Sequence, residues 1–216
     1  DMVDWIKERV AVPEVEWQLI LAALLKDMGT AEKKDARKML KNKLLMVFPQ
    51  KAEAPFVTAV ETAPFIRTGW YGHSADAAFM DLDGKPLDES THDRLTADAD
   101  TDDAQQAGTG LLNQWFQFYG PKTPGFVCRT LGFDSADFTL RINSQLDAKE
   151  WISGALISGL NDIYICDSQN FETLLRMSRA MAIPEFEALE SKYLGLFIAD
   201  VQGLLQTGDT PDRLYD

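Results

Sequence analysis

Hydrophobic positions between Gly110 and Asp167 change their period twice, and the changes predict a sequence of elements. Leu111, Leu112, Trp115, Phe118 and Tyr119 recur at helical spacing. Gly120-Pro121 stops that helix, because proline cannot continue it and glycine tolerates the turn. A second short helix is predicted from Pro124 to Leu131, closed by Gly132. Asp134 or Ser135 can cap a third, whose buried stripe is Phe138, Ile142 and Leu146. Two β-rich runs follow, Trp151–Ile157 and Asp162–Cys166, joined by Ser158-Gly159-Leu160-Asn161, which has the composition of a turn. Three short helices and then a hairpin is the order of a winged helix, whose third helix and wing usually read nucleic acid.

Upstream, Asp1–Val10 reads as a short helix end, and Pro13-Glu14 as the opening of a strong helix that ends at Gly29-Thr30. Val15, Leu19, Ala22, Ala23 and Leu24 are its expected buried side. Ala31–Lys43 is a third helix with two unlike faces: Ala36, Met39 and Leu40 on one, Lys34, Arg37, Lys38 and Lys41 on the other. Leu44–Phe48 and Phe56–Val60 read as two short strands, and Glu61–Thr68 as a helix ending at Gly69. From Trp70 to Ala107 every periodicity breaks, apart from a small strand and turn at Phe79–Gly84. After the hairpin, Asp167 or Ser168 caps a helix carrying Phe171, Leu174, Leu175, Ser178 and Met181 that Pro184 ends. Phe186 and Leu189 are expected to pack back on the core, and a last helix runs from about Ser191 to Leu205.

The predicted fold class is α+β, mainly helical, with a small helix/β-hairpin unit and a winged-helix domain. The expected divisions are 1–70, the helix/hairpin unit; 71–107, an acidic insertion or linker; 108–167, the winged helix; and 168–216, a helical segment leading to a further domain. The chain's 216 residues are enough for one large or two small cores, and no apolar run approaches a membrane span. With no signal peptide visible, the expected location is cytoplasmic, and Cys128 and Cys166 read as free buried thiols.

Charge changes this picture. A net charge of −13 argues against general affinity for nucleic acid, where phosphate neutralisation carries most of the binding. Yet residues 71–107 hold ten acidic against two basic side chains, a net of −8, so the rest of the chain nets only −5. Residues 31–43 hold six basic residues against Glu32 and Asp35, a net of +4, the one basic stretch. It reads as a phosphate contact or as a solvated helix face.

Chemistry-bearing motifs are absent. There is no phosphate-binding G-x-x-x-x-G-K-[ST] and no nucleophile elbow. His73 and His92 lie apart with no Cys/His partners, which argues against zinc. Asp81-x-Asp83-Gly84 is only a fragment of a calcium loop. No catalysis, and no metal or cofactor, is expected of this chain.

One resemblance spans nearly the whole chain apart from the acidic stretch. The phrase LLNQWFQFYGPKTPGFVCRTLGF carries it, with Trp151-Ile152-Ser153-Gly154, Ile165-Cys166-Asp167, Asn170-Phe171-Glu172, Leu174-Leu175-Arg176, Pro184-Glu185-Phe186-Glu187 and Gln202-Gly203-Leu204. The opening Val3–Arg9 with Pro13-Glu14 and Trp17 belongs to the same series. Together they resemble the region downstream of the motor in large Lhr-type helicases of the DEAD/DEAH superfamily. Val201 stands where that family usually has tryptophan, and the third winged helix has one base, Arg141, against Asp134 and Asp137. The resemblance implies an accessory region of an ATP-driven translocase, with ATP and magnesium confined to motor domains outside this chain. Its expected partners are those motor domains and single-stranded or forked DNA, or RNA. The candidate contacts are Lys34, Arg37, Lys38 and Lys41 for phosphates, Arg129 and Arg141 as further cations, and Trp151 as a stacking platform. The alternative is a structural adaptor that docks on protein without touching nucleic acid.

Overall fold

The computed structural model describes residues 2–26, 28–72, 76–96, 101–182 and 190–204. The chain divides into two compact units, Asp1–Leu175 and Arg176–Asp216.

The first unit is built on an antiparallel sheet of four strands in the order β1-β3-β2-β4: Val12–Pro13 (β1), Leu44–Pro49 (β2), Phe56–Ala59 (β3) and Ala77–Met80 (β4). The hairpin of β2 and β3 matches the predicted one. Strand β2 is apolar without a break because both its faces are covered, so the usual in–out alternation is hidden in its sequence. Leu44 and Met46 point to one core, with Val3, Ile6, Trp17, Leu40 and Val57. Leu45 and Val47, one residue out of phase, point to the other side.

Helices α1 (Met2–Arg9), α2 (Glu14–Leu25) and α3 (Thr30–Lys41) cover the first face. The buried side of α2 differs from expectation. Trp17 and Leu25 are buried and Ile20 and Leu21 pack beside them, whereas Val15 (70% exposed), Leu19 (69% exposed) and Leu24 face outward. The helix is apolar nearly all round, so its sequence held no contrast from which to choose a face. Val12–Pro13 is also strand rather than the first helical turn, since it pairs with Val57 and Phe56.

The second face carries α4 (Ala63–Tyr71) and α6 (Thr101–Phe116), and α5 (Glu89–Thr96) lies against α4. The stretch expected as an insertion therefore supplies an edge strand and two helices. Helix α6 begins ten residues before its large apolar residues do, because its first half buries small ones. Where it meets α4, a Cβ on Gly69 would lie 2.5 Å from the Ala104 carbonyl and 2.7 Å from the Gly108 Cα. Trp70 Nε1–H donates to the Gly108 carbonyl at 2.7 Å across the same crossing. Only glycine lets the two backbones come this close.

Helices α7 (Pro124–Leu131) and α8 (Ser135–Asp147) follow as expected. Thr123 caps the first and Asp134 the second, its carboxylate accepting from Ala136 N–H at 2.9 Å. Gly132 closes α7 with φ +73°, against Pro49 and Ala52. Strands β5 (Trp151–Gly154) and β6 (Tyr164–Asp167) form the predicted hairpin with a longer loop, and Lys122, between α6 and α7, forms a bridge with Ile165 of β6. Val47, Phe56, Trp70, Leu112, Trp115, Val127, Phe138, Trp151 and Ile165 belong to one hydrophobic cluster. The regions expected as 1–70 and 108–167 thus share a core. Helix α9 (Ser168–Ala182) starts at Asp167, whose carboxylate accepts from Asn170 N–H at 2.9 Å.

In the second unit a 3-10 turn at Ser191–Tyr193 leads into α10 (Leu194–Val201), where Leu194, Phe197, Ile198 and Val201 are exposed. The expected roles of Pro184, Phe186, Leu189 and Leu205, and of His73, Asp98 and Asp100, fall outside the described residues. His92 is exposed, on α5 rather than on a loop. Cys128 and Cys166 are free, and burial pushes the Cys166 thiol up to about 11. Among the described residues no helix is long and apolar enough to cross a membrane.

Candidate nucleic-acid interface

Helix α3 forms because its charged and small residues sustain a helix while Leu40 anchors one side in the core. Glu32 reaches back to accept from Gly29 N–H at 2.8 Å, satisfying one of the free donors at the helix start. The remaining circumference is solvated. Lys34, Arg37 and Lys38 are exposed, and none of them forms an ion pair among the described residues.

Lys41 is different. Its ammonium is bound to the Asp83 carboxylate and lies 3.9 Å from Asp81. Asp81 Oδ1 accepts from the N–H groups of Asp83 (2.9 Å) and Lys85 (2.8 Å), which fixes the turn after β4 against the end of α3. The hydrogen bond to Asp83 raises the Lys41 pKa, and the same bond lowers that of Asp83. Asp81 Oδ1 is thus taken by backbone N–H groups and Asp83 Oδ2 by lysine, which leaves Asp83 Oδ1 as an acceptor, and no cluster of metal-ligating side chains occurs among the described residues.

The other three sequence candidates are engaged elsewhere. Arg129 Nε–H donates to Glu53 at 3.0 Å, so its charge is locally balanced. Arg141 donates to the carbonyls of Gly69 (3.1 Å) and Trp70 (3.2 Å) and stacks on Phe133, with its ring centroid 5.3 Å away. It serves the backbone at the end of α4, and burial lowers its pKa. Trp151 is 1% exposed and stacks on Phe116 at 4.7 Å, so it cannot offer its ring to a base. This corrects the expectation of a stacking platform, because tryptophan on a short strand looks the same from sequence whichever face it takes. Trp151→Phe should leave affinity for a single strand within about two-fold of the parent in an anisotropy titration, since the ring belongs to the core.

No family model, curated protein or solved structure matches the chain.

Sequence reading missed a cavity of about 200 Å³ beside the basic flank, lined by Trp17, Gln18, Leu21, Arg37, Leu40, Lys41, Leu82 and Asp83. Trp17 and Leu21, four residues apart on α2, were the available signal, but the more regular Val15/Leu19 series concealed it. Asp83→Asn should strengthen binding of oligo(dT) about three-fold at low salt, by releasing Lys41 and removing one repulsive charge. Unchanged or weaker binding would place the phosphate path away from Lys41.

Proposed function

We propose that this chain is a non-catalytic accessory region of an ATP-dependent helicase, holding single-stranded nucleic acid along the outer flank of α3 for a motor supplied by other domains. One observation carries the reading. Lys34, Arg37 and Lys38 stand exposed on one helix and form no ion pair among the described residues, in a chain whose net charge is −13. Three exposed cations on one flank suit the binding of phosphates.

The winged-helix reading of α6–β6 is supported by the element order and by the Lys122–Ile165 bridge. The bridge pairs a single residue with the hairpin from between the first and second helices, where a winged helix carries its first strand. The engaged state of Arg141 weighs against α8 as a base reader, so the grip is assigned to α3 instead. The likeness to Lhr-type helicases supplies the motor, and a cytoplasmic location goes with it. The rival reading, a protein adaptor, is favoured by the outward Val15 and Leu19 on α2.

The test is an anisotropy titration of the whole chain with labelled single-stranded and forked DNA across a range of salt. The grip predicts binding that weakens by roughly 0.7 in log K per unit of log salt for each phosphate held. An adaptor gives no binding even at low salt.

A further inference from the structure

We infer that the cavity between α2, α3 and the turn after β4 receives one unstacked base of the bound strand, with preference for bases that carry an exocyclic amine. The inference rests on the reading of α3 as the phosphate grip and names what that grip would hold beside it.

The size of the cavity suits one flat ring. About 200 Å³ is the share of some seven waters, below the several hundred cubic ångströms of pockets for drug-sized molecules. Its lining divides into two kinds of group. The half-buried Leu21 and Leu82 give it apolar walls over the buried Trp17 and Leu40, a lining that favours a flat ring taken out of water. Gln18, Arg37, Lys41 and Asp83 supply its polar groups. Arg37 and Lys41 lie on the same flank as Lys34 and Lys38, so a strand with its phosphates along α3 would pass this opening. A cavity served only by cations would suit a free anion equally well. Here apolar walls and an acceptor accompany the cations, as a nucleotide within a strand requires.

The polar groups also distinguish among bases. Asp83 is an acceptor only, and the Gln18 amide offers both an acceptor and a donor. Cytosine presents an amine donor beside its acceptors, whereas thymine presents a carbonyl in the amine's place. Asp83 can therefore accept from cytosine and would repel the thymine carbonyl.

The experiment compares oligo(dC), oligo(dT) and an abasic strand of equal length, with the whole chain at low salt. The expected order is oligo(dC), then oligo(dT) about three-fold weaker, then the abasic strand a further five-fold or so weaker. Gln18→Ala, an exposed position, should weaken oligo(dC) and oligo(dT) alike and so narrow the margin of both over the abasic strand. Equal affinity for all three strands would overturn the base site and leave the phosphate grip standing. Tighter binding of oligo(dT) than oligo(dC) would overturn the amine preference. Failure of every strand to bind would overturn both the site and the grip.

Discussion

Gly69→Ala and Gly108→Ala should each lower the thermal midpoint by roughly 6–12 °C, a loss of about 3 kcal/mol for a chain of this size. The sign is the informative part. Alanine is the better helix former by up to about 1 kcal/mol, so both changes would stabilise an isolated helix. At this crossing the added methyl on Gly108 would meet the Gly69 Cα at 2.7 Å, and the contact is backbone, which cannot rotate aside. The helices must separate, and the Trp70 bond to the Gly108 carbonyl is strained with them. Gly110 lies two residues further along the same helix with nothing within 4 Å of its would-be Cβ. Gly110→Ala should therefore raise the midpoint slightly. Calorimetry of the three variants checks the packing directly, and equal small shifts for all three would mean that α4 and α6 do not cross there.

The double reversal Lys34→Glu/Lys38→Glu should weaken binding of a labelled single strand by on the order of 100-fold at low salt. Two phosphate contacts are lost, and two repulsive charges replace them on a flank that then keeps only Arg37 free. Both side chains are exposed and lie outside every core cluster, so the thermal midpoint should stay within about 2 °C. The separation of the two readouts distinguishes a lost contact from a lost fold. By contrast, Arg141→Glu would impair the fold as well, since that guanidinium serves two backbone carbonyls of α4.

What the sequence disclosed followed from contrast between neighbouring positions. The α7–α8–hairpin order was legible because Gly132, Asp134 and the Trp151 and Ile165 runs each have one reasonable placement. The basic flank of α3 was legible because a net of +4 stands out in an acidic chain. Contrast fails at α2, where apolar residues surround the helix and Val15 and Leu19 face outward in place of Trp17 and Leu25. It failed again at α6, where Ala104 and Gly108 pack through smallness rather than hydrophobicity and so read as loop composition. Among the candidate site residues, Lys34, Arg37 and Lys38 lie exposed as periodicity indicates, whereas Lys41 is half-buried against Asp83. The fates of Arg129, Arg141 and Trp151 depended on Glu53, Gly69 and Phe116, partners 76, 72 and 35 residues away in the chain, which no local pattern announces. The cavity was hidden for the same reason, since Leu82 and Asp83 reach it from a stretch that composition marked as an insertion.

The most direct test of the account is the salt dependence of single-strand affinity for the parent chain and for Lys34→Glu/Lys38→Glu, measured side by side. Three exposed cations predict a slope of about −2 in log K against log salt for the parent and one no steeper than about −0.7, the single remaining contact, for the double variant. No binding by the parent at low salt, or the same slope in both proteins, would contradict the assignment of α3 as the strand-holding surface.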